Sequence, residues 1–318
     1  MTKTKKIIIA ALALLLLAAI LSGVLFGVRL YKKRHPAGLE RSTLPNGHGK
    51  KATVILLAGQ SNAAGCSHDE YLKLTSTPEK YAEYEAGYDN VYINFFTSGT
   101  NESRGFVKCK ARQGEAVDFY GFGPELGLAE KLYEERPDEM FFIIKYAWGG
   151  TDLARAWAPP SSEGETGSLY NSLVEFTRQS IAYLEAKNYD VSIEAMCWMQ
   201  GEADSLATED AAAYEENLEN LISDIRRDLS EFADEDGIAF VDAAIAEGVI
   251  FWQNAQIINE AKRTVAERSP LNVFVDTAAA GLTTLGEPQP DVDIAHYDSQ
   301  SEIKLGHLFA EAVSRFLK

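Results

Sequence analysis

Short apolar runs alternate with stretches of helical spacing along most of this 318-residue chain. Thr53–Ala58 (TVILLA), Val91–Phe96 (VYINFF), Phe141–Ala147 (FFIIKYA) and Ile193–Trp198 (IEAMCW) read as buried strands, with shorter ones at Ile238–Val241 and Val273–Val275. Between them, Pro124–Glu135, Leu169–Lys187, Ala211–Phe232 and a segment near Gln256–Arg268 carry apolar residues three and four apart, as amphipathic helices do. In Ala211–Phe232 the stripe is Tyr214, Leu218, Leu221, Ile225 and Leu229. Residues 302–317 read as a closing helix. This alternation, without two-residue hairpin turns, predicts βαβ units and a mainly parallel sheet covered by helices.

One run is of another kind. Residues 7–28 are 22 consecutive residues without a charge. As a helix they would be roughly 33 Å long, enough to cross a hydrocarbon core. No Ala-x-Ala cleavage pattern follows, and Arg29, Lys32, Lys33 and Arg34 close the run, so an uncleaved anchor is expected rather than a signal peptide. The basic residues on its two sides nearly balance, and an N-terminal anchor followed by one large domain suggests that the domain is exported across the cell membrane. The expected organisation is a tail at 1–6, a transmembrane signal-anchor at 7–28, a linker at 29–51 rich in proline and glycine, and one domain at 52–318.

Charge sharpens that division. Residues 1–50 hold nine Lys/Arg and one Glu, whereas the remainder holds 21 Lys/Arg against 46 Asp/Glu. A body so acidic argues against nucleic acid, because phosphate contacts need a basic face. Three cysteines, Cys66, Cys109 and Cys197, cannot form a complete disulfide framework. Cys197 lies in an apolar run and is expected as a buried thiol; a Cys66–Cys109 bridge stays open. No paired Cys/His cluster suggests a metal.

Ligands of parallel sheets bind beyond the carboxyl ends of the strands, and four polar blocks fall there or just before the last helix. Gly59-Gln60-Ser61-Asn62 follows TVILLA, where Ser61 would sit at a helix start among backbone N–H groups suited to an oxyanion, or would merely cap that helix. Gly149-Gly150-Thr151 follows FFIIKYAW, where glycines allow close approach to a ligand or simply make a turn. Gln200-Gly201-Glu202-Ala203-Asp204 ends a strand and offers an amide donor and two acids. Asp293-Ile-Ala-His296 places an acid where it can hold an imidazole whose other nitrogen faces a serine. A serine without a base is a weak nucleophile, so the scheme needs Ser61 and His296 together. The body has two other histidines, His68 in a loop and His307 within the last helix, where a structural role is expected.

Together the four blocks resemble the SGNH hydrolase superfamily, in particular carbohydrate esterase family six and the sialate O-acetylesterase-like domains. Val275-Asp276, Gly281-Leu282 and Leu305-Gly306 also match that pattern, and the resemblance covers nearly all of 52–318. It implies a three-layer α/β/α sandwich of flavodoxin-like type. It implies Ser61 as nucleophile, His296 as base, and an oxyanion hole of the Ser61 N–H, Gly149 or Gly150, and the Gln200 side chain, with no cofactor or metal. Either Asp293 or Glu202 would partner His296. Gln60, Asn62, Trp148 and Trp157 would line the substrate, although packing is the blander use of both tryptophans. Ala63-Ala64 departs from relatives that carry Met at the first of these positions, which touches the acyl or sugar pocket. The expected activity is removal of O-acetyl groups from carbohydrate, as on acetyl xylan or sialate. The alternatives are a non-catalytic glycan-binding module of the same fold and a hydrolase of lipid or thioester acyl groups.

Overall fold

The computed structural model describes residues 40–42, 44–116, 120–288 and 293–318. The expected tail and anchor lie outside them, as does most of the linker. Among the described residues no helix is long and apolar enough to cross a membrane. The folded unit begins at Glu40, inside the stretch expected as linker. Leu44 is buried there, and Gly47 N–H donates to the Lys187 carbonyl at 2.7 Å.

Six strands run parallel: β1 Lys51–Gly59, β2 Val91–Thr97, β3 Phe141–Ala147, β4 Asp190–Met199, β5 Ala239–Ala243 and β6 Asn272–Val275. Their order across the sheet is β2-β3-β1-β4-β5-β6. This is not the flavodoxin-like order expected, since β3 lies between β2 and β1. The chain builds β2 and β3 to one side of β1, then crosses to the other for β4. The crevice where the order reverses therefore opens beyond the ends of β3, β1 and β4, where three of the four polar blocks sit.

Eight of the nine β1 residues and all seven of β3 are buried, which is why these runs read as continuously apolar rather than alternating. Successive side chains still point to opposite faces. On β3, Lys145 reaches Glu125 of the helix Glu125–Glu135, while Tyr146 packs its ring 5.6 Å from Phe176 of the helix Ser168–Ala186. Those two helices thus cover opposite faces. Glu125–Glu135 packs against the last helix, Ser299–Val313, so closely that a Cβ on Gly306 would lie 2.2 Å from the Pro124 carbonyl oxygen. The long helix forms over Thr208–Asp228 with its whole predicted stripe buried.

Several features depart from the pattern reading. Helices at Asp69–Thr75 and Pro78–Ala86 were not expected. The short strands Asn101–Arg104 and Val107–Lys108 pair antiparallel with β2, and Ser67–His68 pairs with Gly121–Phe122 in a separate ribbon. All three cysteines are free and buried, so no Cys66–Cys109 bridge forms. Cys109 instead lies with its Sγ 3.5 Å from the Glu125 carbonyl in the core.

Candidate active site

β1 delivers Ser61. Gly59 ends the strand with φ +138°, and a Cβ there would lie 2.0 Å from the Met199 carbonyl oxygen, so only glycine lets β1 and β4 finish side by side. The chain then turns into the short helix Ser61–Ala64. Ser61 is half-buried, and its hydroxyl makes no hydrogen bond among the described residues.

Asn62 joins three of the four blocks. It is buried, its Nδ2 donates to Glu202 Oε1 at 2.8 Å, and its Oδ1 accepts from the Tyr297 N–H at 3.1 Å. The residue after Ser61 is thereby bonded to the residue after His296. Asp298 caps the last helix through the Ser301 N–H at 2.9 Å, which holds the other side of this short segment. Both anchors directly follow His296 in the chain.

The imidazole itself meets Asp293. His296 Nδ1 lies 2.6 Å from Asp293 Oδ2, while Asp293 Oδ1 accepts the Ala295 and His296 backbone N–H groups at 2.8 and 3.3 Å. Burial alone would raise the Asp293 carboxyl, but its bond to His296 and the imidazole's charge hold it down at about 2. Burial likewise opposes the charged imidazole. The Asp293 hydrogen bond and charge, helped by Glu202 and Glu115, outweigh it and raise His296 above its ordinary range. The Asp293 contact occupies Nδ1 and leaves Nε2 for a proton donor.

Glu202 is in a different setting. It is 1% exposed, bonds Asn62 rather than the imidazole, and keeps Oε2 buried without a hydrogen-bond partner among the described residues. Desolvation raises its pKa, and the Asn62 bond and the charges of Lys262 and His296 offset this only in part.

Gln200 and Gln60 are committed to the scaffold. Gln200 Nε2 donates to the Thr151 carbonyl at 3.0 Å and to Asp204 Oδ2 at 2.5 Å, and its Oε1 accepts from Tyr214 at 2.9 Å. Asp204 also accepts the Leu153 and Ala154 N–H groups, binding the Gly149-Gly150-Thr151 turn to the loop after β4. Desolvation lifts Asp204 to about 6 against those bonds. Gln60 Oε1 accepts the Ala203 N–H at 3.2 Å.

The turn after β3 lies against Ser61: a Cβ on Gly149 would be 3.6 Å from Ser61 Cβ. The Gly149 N–H donates to Ser98 Oγ at 2.9 Å, and Ser98 in turn bonds Glu115. Ser98 holds φ +47°, rare for a residue with a Cβ, at the end of β2.

A family model described as carbohydrate esterase, sialic acid-specific acetylesterase, matches residues 51–315. The chain belongs to this carbohydrate esterase family. It is thereby placed among the carboxylic ester hydrolases. A probable carbohydrate esterase of Arabidopsis thaliana is 30% identical over 131 residues, which are 40% of this chain and 44% of that protein. A probable 9-O-acetyl-N-acetylneuraminic acid deacetylase of Escherichia coli (strain K12) is 30% identical over 122 residues, 35% of this chain and 36% of that one. The matches thus span less than half of either curated relative. Among solved structures, the Arabidopsis thaliana protein superposes with a TM-score of 0.61 at 21% identity, over 86% of this chain and 100% of that one. NanS does so with a TM-score of 0.60 at 17% identity, over 84% and 98%. At such identities the likeness speaks for the fold.

Within this member of the carbohydrate esterase family, the expected site residues divide. Ser61, Gly149, Asn62, Glu202, Asp293 and His296 converge on one crevice. Gln200 turns its amide inward to Asp204 and Thr151, and Gly149 gives its N–H to Ser98, so neither presents a donor as expected; the backbone groups of Ser61 and Gly150 are the ones left. Gln60 and Asn62 are buried in the scaffold rather than lining substrate. Trp157 is 0% exposed, with its ring 5.3 Å from Trp198 and its Nε1 donating to Thr151, and so belongs to the core. Of the two expected tryptophans, Trp148 is the one that stays partly exposed, beside Phe96. His307 bonds Glu130 at 2.7 Å, in the structural role expected. Ser98 and Glu115 were not anticipated. Ser98 ends a strand and could have been found by the rule that located the other blocks, whereas Glu115 lies in an irregular loop and carries no such signal.

Proposed function

We propose that this protein is a serine esterase that removes O-acetyl groups from carbohydrate through an acyl-enzyme. The observation that carries this reading is the His296–Asp293 contact, held one residue from the segment that Asn62 ties to Ser61. Ser61 Oγ attacks the acetyl carbonyl carbon as its proton passes to His296 Nε2, and Asp293 keeps the imidazole oriented and stabilises its charge. The oxyanion is stabilised by the backbone N–H groups of Ser61 and Gly150. The intermediate collapses, and the sugar oxygen leaves with the proton from His296. Water then attacks the acetyl-Ser61 ester, His296 takes its proton, acetate departs and the Ser61 hydroxyl is restored.

Asp293 is the partner of His296 in this reading, because it bonds the ring directly while Glu202 serves Asn62. The names of the relatives point to acetylated sugars, including sialate, as the substrate class. The charge-free run at 7–28 supports placing the esterase domain at the outer face of a membrane, within reach of extracellular glycan. The test is acetate release from O-acetylated sugars by the full-length chain. Release that falls at least about a thousandfold in Ser61→Ala supports the mechanism, and undiminished release refutes it.

A further inference from the structure

The turn that supplies the oxyanion donor is held by groups outside the mechanism above. The peptide joining Trp148 to Gly149 is clamped at both ends. Its N–H, on Gly149, donates to Ser98 Oγ at 2.9 Å, and its carbonyl, on Trp148, accepts from Thr151 Oγ1 at 2.6 Å. The next N–H along the chain is that of Gly150, the donor assigned to the oxyanion. Gly150 takes φ +70° and has nothing within 4 Å of where a Cβ would stand. A glycine in open space resists rotation little, so the clamp on the preceding peptide sets where this N–H points.

Ser98 is seated for this by two strands. It follows Thr97, the last residue of β2, and its own N–H donates at 2.9 Å to the carbonyl of Ala147, the last residue of β3. It holds φ +47°, which costs energy in a residue with a Cβ, and its hydroxyl makes two bonds there. The hydroxyl gives its one proton to Glu115 Oε1, which leaves a lone pair for the Gly149 N–H. Amide, hydroxyl and carboxylate form a chain in which each bond polarises the next.

Glu115 carries the chain to the nucleophile. Its backbone N–H donates to the Gly65 carbonyl at 3.0 Å, and the Gly65 N–H closes the Ser61–Ala64 helix on the Ser61 carbonyl at 2.9 Å. The loop is drawn tight there: a Cβ on Gly114 or Gly121 would lie 2.3 or 2.2 Å from that same Gly65 oxygen. Glu115 Oε1 lies 3.0 Å from where a Gly149 Cβ would be, a point itself 3.6 Å from Ser61 Cβ. One residue therefore spans from the end of the nucleophile's helix to the turn bearing the oxyanion donor. Neither Glu115 nor Ser98 takes part in the proton transfers.

We infer that Ser98 and Glu115 are positioning residues for the oxyanion hole: their hydrogen-bonded chain sets the Gly150 N–H in its place relative to Ser61. The inference rests on the esterase reading and adds to it two residues that act through the Gly149-Gly150 turn. Burial opposes the charged His296 imidazole, and Asp293, Glu202 and Glu115 together raise it. Rates are therefore compared on the pH plateau above the His296 midpoint, where that part of the Glu115 charge does not enter.

The test measures kcat and KM of the full-length chain, in non-ionic detergent, on para-nitrophenyl acetate. Ser98→Gly removes the hydroxyl while suiting the positive φ, so the backbone itself is not strained by the change. It is expected to lower kcat about ten- to a hundredfold with KM within about threefold, because acylation and deacylation both pass through an oxyanion. Glu115→Ala is expected to lose about as much, and the double variant no more than the worse single, as for residues acting in one chain. Glu115→Gln keeps an oxygen that accepts from Ser98 and is expected to recover to within about fivefold of the unaltered chain. A Ser98→Gly chain that turns over within about twofold of the unaltered protein, or faster, overturns the inference, as does a loss that lies in KM. Single losses that multiply in the double variant, or Glu115→Gln as slow as Glu115→Ala, overturn it too. In all these cases acetate release that depends on Ser61 leaves the esterase standing, whereas release that survives Ser61→Ala fails the underlying reading. Ser98→Gly and Glu115→Gln decide the matter if Glu115→Ala does not fold.

Discussion

The two sides of the crevice are built differently. Towards β4, Gln60, Asn62, Gln200, Glu202 and Asp204 are all buried and bonded to one another or to backbone. Towards the last helix and β2, His296, Asp293, Ser98 and Glu115 are at least partly exposed and make few, short contacts. The most recognisable blocks of sequence lie on the first side, yet most of the groups free to meet a substrate lie on the second. Buried polar groups are costly unless bonded, and among the described residues this side leaves only Glu202 Oε2 without a partner, so it positions better than it reacts. Asn62 is the joint between the two.

This contrast makes graded demands. Ser61→Ala should remove acetate release by at least about a thousandfold, with the unfolding transition unmoved, because its hydroxyl makes no hydrogen bond among the described residues. Asp293→Asn should follow, with a loss of about a hundred- to ten-thousandfold in kcat and a displaced pH profile. The base must be deprotonated and Asp293 raises the His296 pKa, so the acid limb of kcat/KM should have its midpoint above the ordinary histidine value of 6.5. Removing the Asp293 charge should move that midpoint down. A midpoint that stays fixed would break the assignment.

On the buried side the losses should appear as stability. Trp157→Ala empties a site in the core and should cost about 3–5 kcal/mol in denaturant unfolding, while the molecules that remain folded keep their turnover. Asn62→Ala should show both signatures. It strands the Tyr297 N–H and Glu202 Oε1, each worth about 1–3 kcal/mol, and it loosens the placement of His296 by enough to slow turnover about ten- to a hundredfold. Glu202→Gln should be the mildest for rate, within a few-fold, since an amide of the same shape can still meet Asn62. A loss as large as that of Asp293→Asn would make Glu202 the working partner and erase the contrast between the two sides.

Much of this was legible in the chain. The parallel sheet followed from apolar runs that burial on both faces forces to be continuous, and the location of the site followed from their carboxyl ends. Strand order did not, because insertion of β3 between β2 and β1 depends on long-range packing that leaves no periodic trace. The antiparallel pieces at Asn101–Lys108 are too short and polar to show a period of two. In the site, Ser61, His296 and Asp293 were identifiable as chemical types at strand and helix ends. The inward turn of Gln200 was not, because it is decided by Asp204 four residues on, which draws the amide away from the crevice. Trp157 was ambiguous for the same reason that aromatics often are: residue type does not tell a sugar platform from a core plug. Glu115 reaches the site only through the folding of a loop.

The central claim is that Ser61 is the nucleophile of an acyl-enzyme. Its most direct test is to expose the full-length chain to a serine-directed phosphonate and map the adduct by mass spectrometry of the digested protein. The account predicts one adduct per chain, on the peptide that contains Ser61, formed more slowly in Asp293→Asn and lost in Ser61→Ala. An unmodified Ser61, or an adduct on another serine in a chain that still releases acetate, would contradict it.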